Sequence, residues 1–244
     1  MNRFAAFAAQ GPLLGMEPFR AAMEFTWPHL TSPALPTTTG DGHPVVIFPG
    51  LGADGSSVTV LRDHCRALGY TTFDWGQGFN IGPQGNLDTW LHGLAHRVSR
   101  LLAGHAEPAT LIGWSLGGLY ARELGKLLVP RLRQVITIGT PFNPDAANPG
   151  WLLRWLGGGA APLDAALGAR LRTPPPMRTT SIYSRSDGVV EWQACRHPKR
   201  SRLVQDIEVE GSHIGMGWNP DVLRVVADRL DQRTGRWRPY VQPR

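Results

Sequence analysis

Lysine is almost absent from this chain of 244 residues. Lys126 and Lys199 are the only two, so the formal charge of +6 is an arginine charge. The basic residues crowd late, as Arg196, Lys199, Arg200 and Arg202 and again as Arg229, Arg233, Arg236 and Arg238. No nucleic-acid-binding motif goes with them, so they read as a solvated surface and no nucleic-acid partner is expected. Cysteine is equally scarce. Cys65 and Cys195 lack the C-x-x-C spacing of a zinc ribbon or a thioredoxin-like site and read as small buried hydrophobes, a single disulfide between them being left open. No apolar run nears the roughly 20 residues that cross a bilayer. The opening residues resemble a signal peptide only until Gly11 and Pro12 interrupt them and Glu17 and Arg20 follow, so the cytoplasm is the expected location. A phosphate-binding loop is missing, because Gly125-Lys126 has neither the earlier glycine nor a following Ser or Thr. His92 and His96 would share a helix face, but no H-E-x-x-H glutamate or third ligand accompanies them, and no metal or cofactor is expected.

What is present is the material for one core: 42% hydrophobic and 18% charged residues in a chain of single-domain length. Residues 1–44 read as an N-terminal helical segment, with Phe4, Phe7, Leu14, Phe19, Met23 and Phe25 among alanines, followed by a proline-bearing linker. This segment either lines a pocket or covers the sheet. From 45 to 244 short apolar runs alternate with helical patterns. Strands are expected at 45–48, 70–75, 109–113, 134–138, 179–184 and 204–209, and helices at 56–68, 87–102, 116–128 and 220–230. Such alternation calls for an α/β fold with a doubly wound, mostly parallel sheet of about six strands flanked by helices. Ligands of such sheets bind beyond the carboxyl ends of the strands, so chemistry is sought in the loops that follow them.

One of those loops is Gly113-Trp114-Ser115-Leu116-Gly117-Gly118, a G-x-S-x-G between a strand and a helix. A turn that tight strains the serine backbone, and the flanking glycines spare the neighbouring chain a clash. The hydroxyl is pushed outward, and the amino end of the next helix faces the same point, where its N–H groups can hold an oxyanion. A serine nucleophile needs a base, usually a histidine oriented by a carboxylate. Asp187 follows the fifth strand and His213 the sixth, in the chain order serine, acid, histidine. Glu191 and Asp145 are the competing acids. The N–H groups of Leu51 and Leu116 are the expected oxyanion donors.

The loop that carries Leu51 also supports a rival reading. Gly50, Gly52 and Gly55 spell G-x-G-x-x-G after a strand, and Asp74 lies about 20 residues on, as in a dinucleotide-binding unit of an NAD-dependent oxidoreductase. That alternative places a pyrophosphate at the amino end of a helix beginning at Ser56. It leaves Ser115, Asp187 and His213 unexplained. A third reading is a non-catalytic binding protein on the same fold.

The segments Val-Val-Ile-Phe-Pro-Gly-Leu-Gly, Gly-Trp-Ser-Leu-Gly-Gly, Ser-Asp-Gly-Val-Val and Gly-Ser-His-Ile-Gly resemble the α/β-hydrolase superfamily in its bacterial lipase and esterase branch. The resemblance runs from about Gly42 to Leu230. It implies that Ser115, Asp187 and His213 are nucleophile, acid and base in the cleavage of a carboxylic ester, with a small ester or lipid as substrate. Two features depart from the family: Pro49-Gly50 replaces the common His-Gly, and two initial antiparallel strands are missing, so the fold is shortened at its amino end. The resemblance also implies that the insertion at about 143–175, with Trp151, Leu152, Leu153, Trp155 and Leu156, forms a small helical lid, the alternative being helices packed on the sheet edge.

Overall fold

The computed structural model describes residues 13–26, 40–146, 165–232 and 237–242. Its centre is a six-stranded, wholly parallel sheet: β1 (Pro44–Phe48), β2 (Thr71–Asp74), β3 (Ala109–Trp114), β4 (Leu132–Ile138), β5 (Arg178–Tyr183) and β6 (Val204–Glu208), in the order β2-β1-β3-β4-β5-β6. The helices are α1 over residues 13–26, α2 (Thr59–Ala67), α3 (Leu87–Leu101), α4 (Leu116–Leu127), α5 (Ala165–Arg172) and α6 (Pro220–Leu230). Among the described residues no helix is long and apolar enough to cross a membrane.

Strand period explains why the sheet needs helices on both sides. In β1, Val46 and Phe48 pack with Leu111 and Val135 against α3 and α4, while Val45 and Ile47 pack with Ile112, Ile136 and Ile182 against α2 and α6. All five residues of β1 are buried, so its continuous apolar run is the signature of a strand covered twice. Asparagines fix two helix starts. Asn86 accepts from the backbone of Asp88 and Thr89 at α3, and Asn219 accepts from Asp221 and Val222 at α6, where Pro220 occupies the first turn. Cys65 and Cys195 are free thiols in the two opposite layers, and burial pushes the Cys65 thiol up to about 12.

Helix α2 starts three residues later than its apolar spacing predicts. The Asp54 carboxylate takes the N–H (2.9 Å) and hydroxyl (2.5 Å) of Ser56, and the Asp54 carbonyl takes the N–H of Ser57 (3.2 Å). This local turn competes with the helix and wins. Most of the expected lid, residues 147–164, lies outside the described residues; α5 is its last part.

The order of strands reverses at β1, since β2 lies on one side of it and β3 on the other. Sheets of this kind take their ligands at such a reversal, here at the carboxyl ends of β1 and β3. Within the N-terminal segment the described helix is α1. It lies across the loops after β5 and β6, where the Trp218 indole donates to the Ala21 carbonyl at 3.1 Å.

Candidate active site

Ser115 is the single residue between β3 and α4. Its φ of 55° and ψ of −122° make it the one non-glycine residue with positive φ among the described residues. Such a conformation costs about 1–3 kcal/mol and persists only where surrounding contacts impose it. Here its N–H donates to the Ile138 carbonyl at 2.8 Å and its own carbonyl accepts from Gly118 at 3.1 Å. The glycines are needed for space: a Cβ at 113 would lie 2.4 Å from the Gly117 carbonyl oxygen, and one at 117 would lie 2.4 Å from that of Phe48.

Asp187 and His213 arrive on the loops after β5 and β6. The His213 Nδ1 lies 2.7 Å from the Asp187 carboxylate, and its Nε2 lies 3.0 Å from the Ser115 Oγ. The other Asp187 oxygen accepts from the N–H groups of Val189 (2.8 Å) and Val190 (2.7 Å). With one ring nitrogen donating to a carboxylate, the other is free to accept from the serine hydroxyl. The Trp114 indole donates to the His213 carbonyl at 3.2 Å. Gly139, at a φ of 54°, leaves room for the ring: a Cβ there would come 3.1 Å from it. Burial opposes a charge on the His213 imidazole, but the Asp187 carboxylate, aided by Glu17, outweighs it and raises its pKa above the ordinary histidine value. An imidazole so placed can take a proton from the hydroxyl and stabilise the resulting charge.

The loop after β1 backs onto Ser115, for a Cβ at Gly50 would lie 3.3 Å from the Ser115 Cβ. Leu51 sits half-buried in this loop, and Leu116 opens α4, where a helix leaves its first N–H groups without partners in the helix. Buried Asn80 pins the loop: its amide donates to the Pro49 carbonyl (2.9 Å), and its backbone exchanges bonds with Gly52 and Ala53 (2.8 Å each). Tyr120 holds the Asn80 side-chain oxygen from α4 at 3.0 Å. The dinucleotide reading does not fit this loop. Asp74 is paired with Arg62 at 3.3 Å, and its carboxylate lies against Gly55, 1.5 Å from where a Cβ would be. An anion thus stands where the pyrophosphate would approach, and α2 does not begin at Ser56.

The competing acids lie elsewhere: Asp145 pairs with Arg172, and Glu191 begins the short 3-10 turn Trp192–Cys195. Sequence reasoning read α1 as a helix but missed the part its polar residues play at the site. Glu17 accepts from the N–H groups of Gly188 (2.8 Å) and Ile214 (3.1 Å), and Glu24 accepts from Ser212 (2.7 Å). Arg20 donates to the carbonyl (2.5 Å) and hydroxyl (3.0 Å) of Ser186. The spacing of Glu17, Arg20 and Glu24 along one helix face was the available signal. Meanwhile Leu14, Met16, Phe19 and Met23 are exposed, so the helix buries acids and shows apolar side chains to solvent.

A profile of the alpha/beta hydrolase family matches residues 45–242. The chain is 28% identical over 127 residues to the pimeloyl-acyl-carrier protein methyl ester esterase of Aliivibrio fischeri, a match that spans 50% of this chain and 46% of that protein. Among solved structures, a metagenome-derived lipolytic enzyme described with LipS and LipT aligns at a TM-score of 0.57 and 15% identity, over 81% of this chain and 97% of its own. The monoacylglycerol lipase of Paleococcus ferrophilus aligns equally well, at a TM-score of 0.57 and 15% identity, over 79% and 95% of the two chains. At such identities these structures speak for the fold.

Proposed function

The chain belongs to the alpha/beta hydrolase family, and from that membership we propose that it is a serine hydrolase of carboxylic esters. The reading rests on one observation above all: a hydroxyl, an imidazole and a carboxylate hydrogen-bonded in line at the carboxyl ends of three strands, with the hydroxyl on a strained single-residue turn. Ester-cleaving relatives add support.

Ser115 Oγ attacks the ester carbonyl carbon while His213 Nε2 takes its proton, and Asp187 holds the ring by Nδ1 and balances its charge. The N–H groups of Leu51 and Leu116 receive the oxyanion. The tetrahedral intermediate then expels the alcohol oxygen, which His213 protonates, leaving an acyl-serine. Water, deprotonated by the same imidazole, releases the acid and restores Ser115. The substrate is a small ester or a lipid; of the insertion at 143–175, residues 147–164 lie outside the described residues. The end of the insertion, α5, is rooted on α4 and α3 through Arg170, which reaches Glu123 at 2.6 Å and Asp88 at 2.5 Å. Two buried free thiols are in keeping with a cytoplasmic place of action.

A fluorophosphonate probe tests this reading. Wild-type protein is expected to label and Ser115→Ala is not, with turnover of nitrophenyl esters falling about 10⁴- to 10⁶-fold and the fold intact. A Ser115→Ala variant with near-full activity refutes it. Rates along a series of acyl lengths identify the substrate class.

A further inference from the structure

Glu17 is a carboxylate with 1% exposure on a helix whose apolar side chains are solvent-exposed. A buried acid is retained at a cost in desolvation and has to be held by donors. Its donors here are two backbone N–H groups from different loops: Gly188, one residue past Asp187, and Ile214, one residue past His213. One side chain therefore ties the loop of the proposed acid to the loop of the proposed base. The packing leaves no slack, since a Cβ on Gly188 would lie 2.6 Å from the carbonyl carbon of Leu13, at the start of the described part of α1.

We propose that Glu17 is a positioning residue of the esterase, clamping the Asp187 and His213 loops in register so that the imidazole meets both partners; the proposal rests on the hydrolase reading above. The charge of the clamp acts as well. His213 faces two carboxylates, Asp187 from the loop after β5 and Glu17 from α1, and both favour its protonated form. Arg20 lies 3.7 Å from Glu17, while its guanidinium is engaged by Ser186. The remaining acids nearby are spoken for: Glu24 by Ser212 and Asn219, and Glu210 by the Ser186 hydroxyl. Glu24 on the same helix holds the His213 loop alone, through Ser212, and has no bond to Gly188 or Ile214, so it compares a brace on one loop with a clamp on two.

Three variants of the full chain distinguish these roles. In Glu17→Gln the amide cannot accept both N–H groups through a charged fork, and kcat is expected to fall about 10- to 100-fold, the order of effect of a small misplacement of reacting groups. KM for a small nitrophenyl ester stays near wild type. The ascending limb of the pH–rate profile moves to lower pH, because one carboxylate facing His213 is gone. Glu17→Asp keeps the charge but shortens the reach, so kcat falls while the limb stays in place. Glu24→Gln lowers the melting temperature without moving the limb. A brace with no role in positioning would lower the melting temperature of Glu17→Gln and leave kcat of the folded protein and the pH limb untouched, which overturns the proposal. If Glu17→Gln does not fold, Glu17→Asp carries the test, and unchanged kcat in that folded variant overturns it. Wild-type protein that fails to label with fluorophosphonate removes the hydrolase reading instead, so the two failures are distinct.

Discussion

The sheet carries the same three chemical groups at both of its ends. At the carboxyl edge are Asp187, His213 and Ser115. At the amino edge Asp41 bonds to the His43 Nδ1, and the His43 Nε2 lies 2.9 Å from the Thr110 hydroxyl. Thr110, however, lies within β3, between β1 and β4, without the positive φ of Ser115, at a point where the β3–β4 register shifts between Ala109 and Thr110. Its hydroxyl also accepts from the Gln134 amide at 3.1 Å, and no helix begins beside it. Burial pulls the His43 pKa down; Asp41 works against that and Arg133 with it. His213, with burial outweighed by two carboxylates, is raised. The comparison teaches that carboxylate, imidazole and hydroxyl in line are a common hydrogen-bonding solution. Reactivity has to come from what surrounds the hydroxyl: a strained turn at a strand end and the amino end of a helix, whose first N–H groups have no partner within the helix.

The contrast is broken most severely by exchanging the carboxylates. Asp187→Asn is expected to lower kcat about 10⁴-fold by favouring the wrong histidine tautomer, whereas Asp41→Asn leaves the kcat of folded protein within a factor of a few. Equal losses from both would erase the distinction between the two ends. The hydroxyls should behave in reverse when stability is measured by urea unfolding. Thr110→Val strips a buried partner from His43 and Gln134 and costs about 1–3 kcal/mol. Ser115→Gly abolishes turnover yet relieves the positive φ, for a gain of about 1 kcal/mol. A destabilised Ser115→Gly would show that the turn is not strained.

The mildest test is pH. His213, raised, must be neutral to act as the proposed base, so kcat/KM should climb through a limb above the ordinary histidine value of about 6.5. Its own contribution to stability is full below that value and fades as pH rises through the raised one. For His43, His64 and His197, whose pKa values are lowered chiefly by burial, the unfolded chain binds more protons between the lowered and ordinary values. Stability from these three is therefore lost as pH falls below about 6.5. Thermal melts from pH 8 to 5 check the sign.

The strands were readable in the sequence because their cause is local in pattern: β1 is apolar at every position and is followed by Pro49-Gly50. Ser115 was readable because strand, turn and helix are consecutive. The site's supports were not, and the reason differs from case to case. Asp54 captures Ser56 and delays α2, a choice between two short-range bonds that apolar spacing does not register. Asp41 and His43 look like linker residues until β3 brings Thr110 beside them, 67 positions along the chain. Glu17 and Glu24 are hardest of all. A helix's inner face is usually its apolar one, but α1 lies on two loops whose backbone N–H groups need acceptors, and so acids turn inward.

Helix α1 also sets an order of events during synthesis. Glu17 leaves the ribosome 171 residues before Gly188 and 197 before Ile214. At about 5–20 residues per second, the helix is exposed on the order of ten seconds or more before its partners exist. Helix α1 is thus made well before its seat, and the proposed site stays unassembled until the loop after β6 has been synthesised.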